Sequence, residues 1–156
     1  MKFKFIIIIF LMTFLSVELS HGSNPLDTNW RRYFSEPTIG PQSPVNNIVV
    51  DEDGIFISGY FEYENEYLPT LNGIAKWGDS LWLPLGNGSR KGIYGIPFSM
   101  NKKNDKIYVG GRFDSAGTIA ANNIAFFSLS SNSWNALGDG IDGSVNAIAF
   151  CNDTLF

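Results

Sequence analysis

The chain has 156 residues, 44 % hydrophobic and 15 % aromatic, with a formal net charge of −4. The acidic balance argues against a nucleic-acid partner, which favours a basic face. A single cysteine, Cys151, excludes an intramolecular disulfide framework.

Residues 1–22 read as a secretory signal peptide. Lys2 and Lys4 precede an apolar run from Phe5 to Leu15, and Ser20-His21-Gly22 offers small residues before a cut at Ser23. The apolar run is well short of the roughly 20 residues a membrane helix needs, so no membrane span is expected; a signal anchor is the alternative. Ser23 in place of a cysteine gives no sign of a lipoprotein anchor. Cleavage would remove Lys2, Lys4 and Glu18 and bring the net charge to −5. It would also remove His21, the only histidine. A chain without histidine lacks the usual general base and the commonest zinc ligand, so no catalytic residue, metal or cofactor is expected.

Within residues 23–44, Asn29-Trp30-Arg31-Arg32-Tyr33-Phe34 has the pattern of a single strand and reads as a closing strand. Residues 45–92 then hold four short apolar runs, near 45–50, 54–61, 72–77 and 81–86. Residues 93–144 hold four more, near 93–98, 106–113, 122–128 and 133–137. A third unit begins at Val145 and occupies 145–156. Runs of 5–8 residues rich in Ile, Val, Phe, Tyr and Trp and bounded by Gly, Asn and Asp read as strands. Asp53-Gly54, Gly78-Asp79 and Asn152-Asp153 are turn dipeptides between them. The stretch 101–105 reads as a linker, and Glu62 to Tyr67 as a loop. Helical periodicity is absent after the N-terminus.

The units are copies. Trp30, Trp82 and Trp134 are spaced by 52 residues, as are Gly59 and Gly111, Phe61 and Phe113, Gly86 and Gly138. Connections too short for parallel crossovers make each unit an antiparallel meander. Four-stranded sheets repeated every 40–50 residues are the sequence form of a β-propeller blade. The expected fold is all-β: β-propeller blades of four-stranded antiparallel sheet. The third unit stops where its second strand has begun, so the sequence reads as an incomplete propeller, a fragment with missing blades of the same polypeptide as its nearest partners. Gly110-Gly111 lies inside a strand with no helix after it. It therefore reads as a place of close backbone approach, as tight packing between blades requires, and not as a phosphate loop.

The string Ile107-Tyr108-Val109-Gly110-Gly111-Arg112-Phe113, followed by Asn122-Asn123-Ile124-Ala125, Trp134-Asn135-Ala136-Leu137-Gly138 and Val145-Asn146-Ala147-Ile148-Ala149, resembles a repeat family of secreted kelch-like β-propellers. Bacterial extracellular propellers look like this, and the ectodomain repeats of fungal cell-polarity landmark proteins are similar. The resemblance covers about 45–156 and speaks to fold more than activity, because one fold hosts many functions.

Three stretches are candidate sites. Asp139-Gly140-Ile141-Asp142-Gly143 spaces two carboxylates as a calcium loop does, but lacks the further oxygen ligands and reads as a turn between blades. Asn87-Gly88-Ser89 and Asn152-Asp153-Thr154 match the N-glycosylation acceptor. Tyr63, Glu64 and Tyr67 form the most distinctive non-repeating stretch. Tyrosines beside carboxylates suit a sugar or a protein surface, since Tyr offers apolar area and a hydroxyl at low entropy cost. The function expected is a non-catalytic binding or scaffold module of a secreted or cell-surface protein, with a protein or glycan partner. The alternatives are an adhesion or polarity-landmark ectodomain with a membrane anchor elsewhere, and a propeller enzyme whose catalytic residues lie in other blades.

Overall fold

Two-residue turns set the architecture. Residues 52–53, 104–105 and 152–153 each reverse the chain between antiparallel strands, and Asn104 and Asn152 take φ of 53° and 51° to do so. Asparagine tolerates this left-handed region because its short polar side chain can hydrogen-bond locally. The computed structural model describes residues 43–65, 68–78 and 81–156. The signal-peptide segment, the strand expected at 29–34, and Tyr67 lie outside the described residues.

The first sheet contains β1 (Val45–Asp51), β2 (Gly54–Asn65), β3 (Leu68–Trp77) and β4 (Trp82–Pro84), hydrogen-bonded in that order. The second contains β5 (Ile93–Lys103), β6 (Lys106–Ala116), β8 (Ile124–Ser128) and β9 (Ser133–Ala136), with the short β7 (Ile119–Ala120) folded back on β6. The third is the hairpin of β10 (Phe150–Cys151) and β11 (Thr154–Leu155). All pairings are antiparallel. Among the described residues there is no helix, and so none long and apolar enough to cross a membrane. The described region is all-β, with two antiparallel propeller blades whose main path is four-stranded and a two-stranded third sheet.

The repeat register holds in space. Val45 pairs with Gly59 and Pro97 with Gly111. Trp82 pairs with Trp77, and Trp134 with Phe127. These pairs place two aromatic rings in contact in each blade, with centroids 5.1 Å and 5.2 Å apart. Gly73 and Asn123 enter the third strands with φ of 63° and 64°, which explains the recurring Asn-(Gly/Asn)-Ile-Ala motif.

Three local readings are corrected. The stretch 101–105 is not a linker, because β5 runs on to Lys103 and only 104–105 turn the chain. The stretch from Glu62 is not a loop up to Tyr67, because β2 continues to Asn65. The first turn is Glu52-Asp53, and Gly54 is the first residue of β2.

Alternation sorts the side chains of each blade onto two faces. Blade 2 turns Met100, Ile107, Val109, Phe127 and Trp134 into a core shared with Val49, Phe56, Ile74 and Leu85 of blade 1. We call the first of these surfaces a leading face and the second a trailing face. The leading face of blade 1 holds a separate cluster of Ile57, Phe61, Leu71, Ala75 and Trp82. The paired glycines have different tasks. A Cβ on Gly111 would collide with Ile96 O and sit 2.8 Å from Pro97 Cα, both on the first strand of its own blade. Gly59 is pressed in the same way by Pro44 O and by Val45 Cα at 2.9 Å. Gly110 makes the approach between blades, its Cβ position lying 2.5 Å from Val145 Cγ1 and 2.9 Å from Ile148 Cδ1.

Candidate interaction surface

The seam between blades 1 and 2 is polar at its edges and apolar between them. Asn46 and Asn47 donate to Pro97 O and Phe98 O at 3.2 Å and 3.1 Å, joining the innermost strands. Trp134 Nε1 donates to Leu85 O at 3.0 Å across the outer strands. Its counterpart Trp82 Nε1 is buried without a hydrogen-bond partner among the described residues.

At the rim carrying the turns at 52–53 and 104–105, ion pairs close the seam. Lys102 Nζ lies 2.6 Å from both Asp51 Oδ2 and Asp53 Oδ2, with 9 % of its side chain exposed. The hydrogen bond from Lys102 holds the Asp51 carboxyl below its ordinary value, against partial desolvation. Burial pushes the Lys102 ammonium down, but the bonds to Asp51 and Asp53 outweigh it and its pKa is raised. Lys103 bridges onward to Asn152 O and to Asp153 at 2.6 Å, which holds Asp153 low. Asp105, bonded to Ser130 and Ser128, is also held low. This rim is occupied with holding blades together.

The pairing has a pH signature. Asp51 binds its proton less tightly folded than unfolded, so its contribution is complete above the unfolded value of 3.8 and fades as the pH falls through the lower folded value. Lys102 contributes fully below 10.5 and loses its share as the pH rises past its raised value. Lys102→Met is expected to lower stability by about 1 kcal/mol near neutrality, an estimate kept small because both carboxylates are partly solvated. Urea melts at pH 7 and pH 3 check this: the gap between wild type and variant should shrink at pH 3.

The opposite rim is free of such ion pairs among the described residues. It collects the end of the β2–β3 hairpin, the connection 85–92, and the β6–β7 hairpin. The Arg90 guanidinium stacks 3.7 Å from the centre of the Tyr94 ring, and Asn72 Nδ2 donates to Lys91 O and Tyr94 Oη. Beside them an open groove of about 330 Å³ is lined by Asp114, Ala120, Ala121, Asn122, Ala136, Gly138 and Asp139. The stretch Asp139 to Gly143 forms its border as a turn: Gly140 N donates to Leu137 O, and Asp142 Oδ1 accepts from Asn122. No group of three His, Cys, Asp or Glu is placed to hold a metal among the described residues.

Of the sequence-derived candidates, Tyr63 and Glu64 lie in the outer half of β2, leading into the hairpin at this rim, with Tyr63 opposite Leu71. Sequence reasoning missed Arg90 and Tyr94. The only available signal was the departure of Asn87 to Lys91 from the acidic stretch at the equivalent place in the second unit.

A family model described as the Rax2 C-terminal beta propeller domain matches residues 85–155. No curated protein matches the chain, and no solved structure does. The match spans the connection after blade 1, all of blade 2 and most of the third sheet, and supports a β-propeller family for this part of the chain.

Proposed function

We propose that the chain is a non-catalytic propeller module that binds a protein or glycan at the rim carrying the β2–β3 hairpin, as part of a secreted or cell-surface protein. The observation behind this is the contrast between the rims: one is tied up in ion pairs between blades, the other presents Arg90, Tyr94 and the Asp114–Asp139 groove. Stacked aromatic and guanidinium planes beside carboxylates and amides suit sugar hydroxyls and polar protein surfaces. The kelch-like repeat motifs and the signal-peptide pattern of residues 1–22 support the extracellular setting.

The test is double replacement of Tyr63 and Tyr67 by alanine, with Arg90→Ala as a separate variant, on an oligosaccharide array and on cell-surface extracts. Binding is expected to fall at least tenfold with the melting temperature unchanged. Lost stability with full binding would make these residues packing elements and overturn the reading. Sequencing of exported protein from Ser23 onward checks secretion.

A further inference from the structure

The connection from Leu85 to Gly92 leaves blade 1, loops outward and returns to where it began. Gly92 N donates to Leu85 O at 2.9 Å, and Gly117 N donates to Gly92 O at 2.7 Å. Both feet of the loop are thereby tied to each other and to the turn between β6 and β7. At Gly86 the chain is pressed on blade 2, for a Cβ there would lie 3.2 Å from Trp134 Cδ1. Two residues on it has cleared the fold: from Gly88 the nearest atom to a Cβ is Thr118 Cγ2, at 3.8 Å. Asn87, Gly88 and Ser89 are all exposed, and none of them belongs to a strand.

Most asparagines of the fold spend their amides on it. Asn46 and Asn47 join two inner strands, Asn72 holds the foot of this loop, and Asn123 donates to Ile141 O. Among the described residues, the side chains of Asn87 and Ser89 make no hydrogen bond. A free asparagine amide with a hydroxyl two residues on is the acceptor of N-linked glycan transfer. In that transfer Asn Nδ2 loses a proton and bonds to C1 of the first sugar. The bond from C1 to the oxygen of a lipid diphosphate breaks, and the lipid diphosphate leaves with the electron pair. The product is a bulky, hydrated group that a folded chain can carry only at its surface. A loop held at both feet carries it without disturbing a strand.

We propose that Asn87 is a site of N-glycosylation, taking the oligosaccharide of a lipid-diphosphate donor, and that the second matching tripeptide, at Asn152, is left bare. Asn152 differs in its surroundings. It sits in a two-residue turn with φ of 51°, and its carbonyl and the Asp153 carboxylate are both held by Lys103. Asp153 also places a negative charge between the acceptor amide and the Thr154 hydroxyl, where it meets the like charge of the donor diphosphate. Gly88 offers no such charge. Asn87 meets this donor only inside a secretory lumen, so its assignment rests on the secreted setting proposed above. The glycan would stand on the same connection as Arg90, which keeps the rim of Arg90 and Tyr94 facing water.

The experiment is translation of the full chain with endoplasmic-reticulum microsomes, once with its own N-terminus and once with residues 1–22 exchanged for an established cleavable signal sequence. Resistance to added protease reports entry into the lumen. A slower gel band that collapses on treatment with peptide N-glycanase reports the glycan. One such band is expected. Asn87→Gln and Ser89→Ala should each abolish it. Ser89→Thr should keep it, because threonine supplies the same hydroxyl, and Asn152→Gln should change nothing. A chain protected from protease behind the borrowed signal but unshifted, a band that survives Asn87→Gln, or a band lost in Asn152→Gln would each overturn the proposal. Protection and a glycan seen only behind the borrowed signal would overturn the secreted setting while upholding Asn87 as the acceptor.

Discussion

Replacing Gly111 by alanine is expected to lower the unfolding free energy by about 3 kcal/mol, at the upper end of the cost of forcing extra volume into a packed site. The added methyl would meet Ile96 O and Pro97 Cα. These are backbone atoms on a strand hydrogen-bonded to β6, so neither can rotate aside. The strands would have to part along the pairing between Ser99 and Pro97, where the register already shifts. A loss of this size is a large share of the roughly 5–15 kcal/mol that holds a domain folded. Gly59→Ala should behave alike, for Pro44 O and Val45 Cα stand in the same relation to it. Gly138 is the control: nothing lies within 4 Å of its Cβ position, and its φ of 59° alone should cost alanine about 1 kcal/mol. Urea denaturation of the three variants gives the ranking, and a Gly111→Ala protein as stable as Gly138→Ala would contradict it.

The second large effect is expected at Trp134. Truncation to alanine should cost about 3–5 kcal/mol, the usual range for a large aromatic removed from a core. Trp134 packs on Phe127, and the Cβ position of Gly117 lies 2.9 Å from its ring. Phenylalanine separates packing from hydrogen bonding. At Trp134 it removes the bond to Leu85 O, whereas at Trp82 it removes a buried N–H without a partner among the described residues. Trp134→Phe should therefore be worse than Trp82→Phe by about 1 kcal/mol, the net worth of one hydrogen bond. The margin stays modest because Leu85 O also accepts from Gly92 N and keeps a partner. Equal losses in the two phenylalanine variants would mean that the indole N–H adds nothing.

Most strands were legible because their apolar runs are bounded by turn residues, and the spacing of Trp82 and Trp134 carried the repeat directly into space. The extension of β5 was not legible. Asn101 to Lys103 looks polar enough for a linker, yet Lys102 and Lys103 are strand residues whose charges are met by Asp51, Asp53 and Asp153 on neighbouring sheets. A local pattern holds no record of partners about 50 residues away. The glycine pair was half legible. Close approach was expected between blades, as Gly110 makes it, but Gly111 serves a bulge inside its own blade. The rim pair of Arg90 and Tyr94 was hidden for a further reason. A guanidinium over a ring depends on how the connection 85–92 folds back, which the hydrogen bond from Gly92 N to Leu85 O closes.

That carbonyl of Leu85 also sets a clock for synthesis. Its first donor, Gly92, follows within one short connection, but its second, Trp134, lies 49 residues downstream. A ribosome adding about 5–20 residues per second leaves an interval of roughly 2–8 s between the two arrivals. During that time Phe56, Ile74 and Leu85 have emerged as one half of a core whose other half is still being translated. Blade 1 thus emerges with its half of the shared core uncovered over a defined stretch of elongation, which ends when Trp134 arrives.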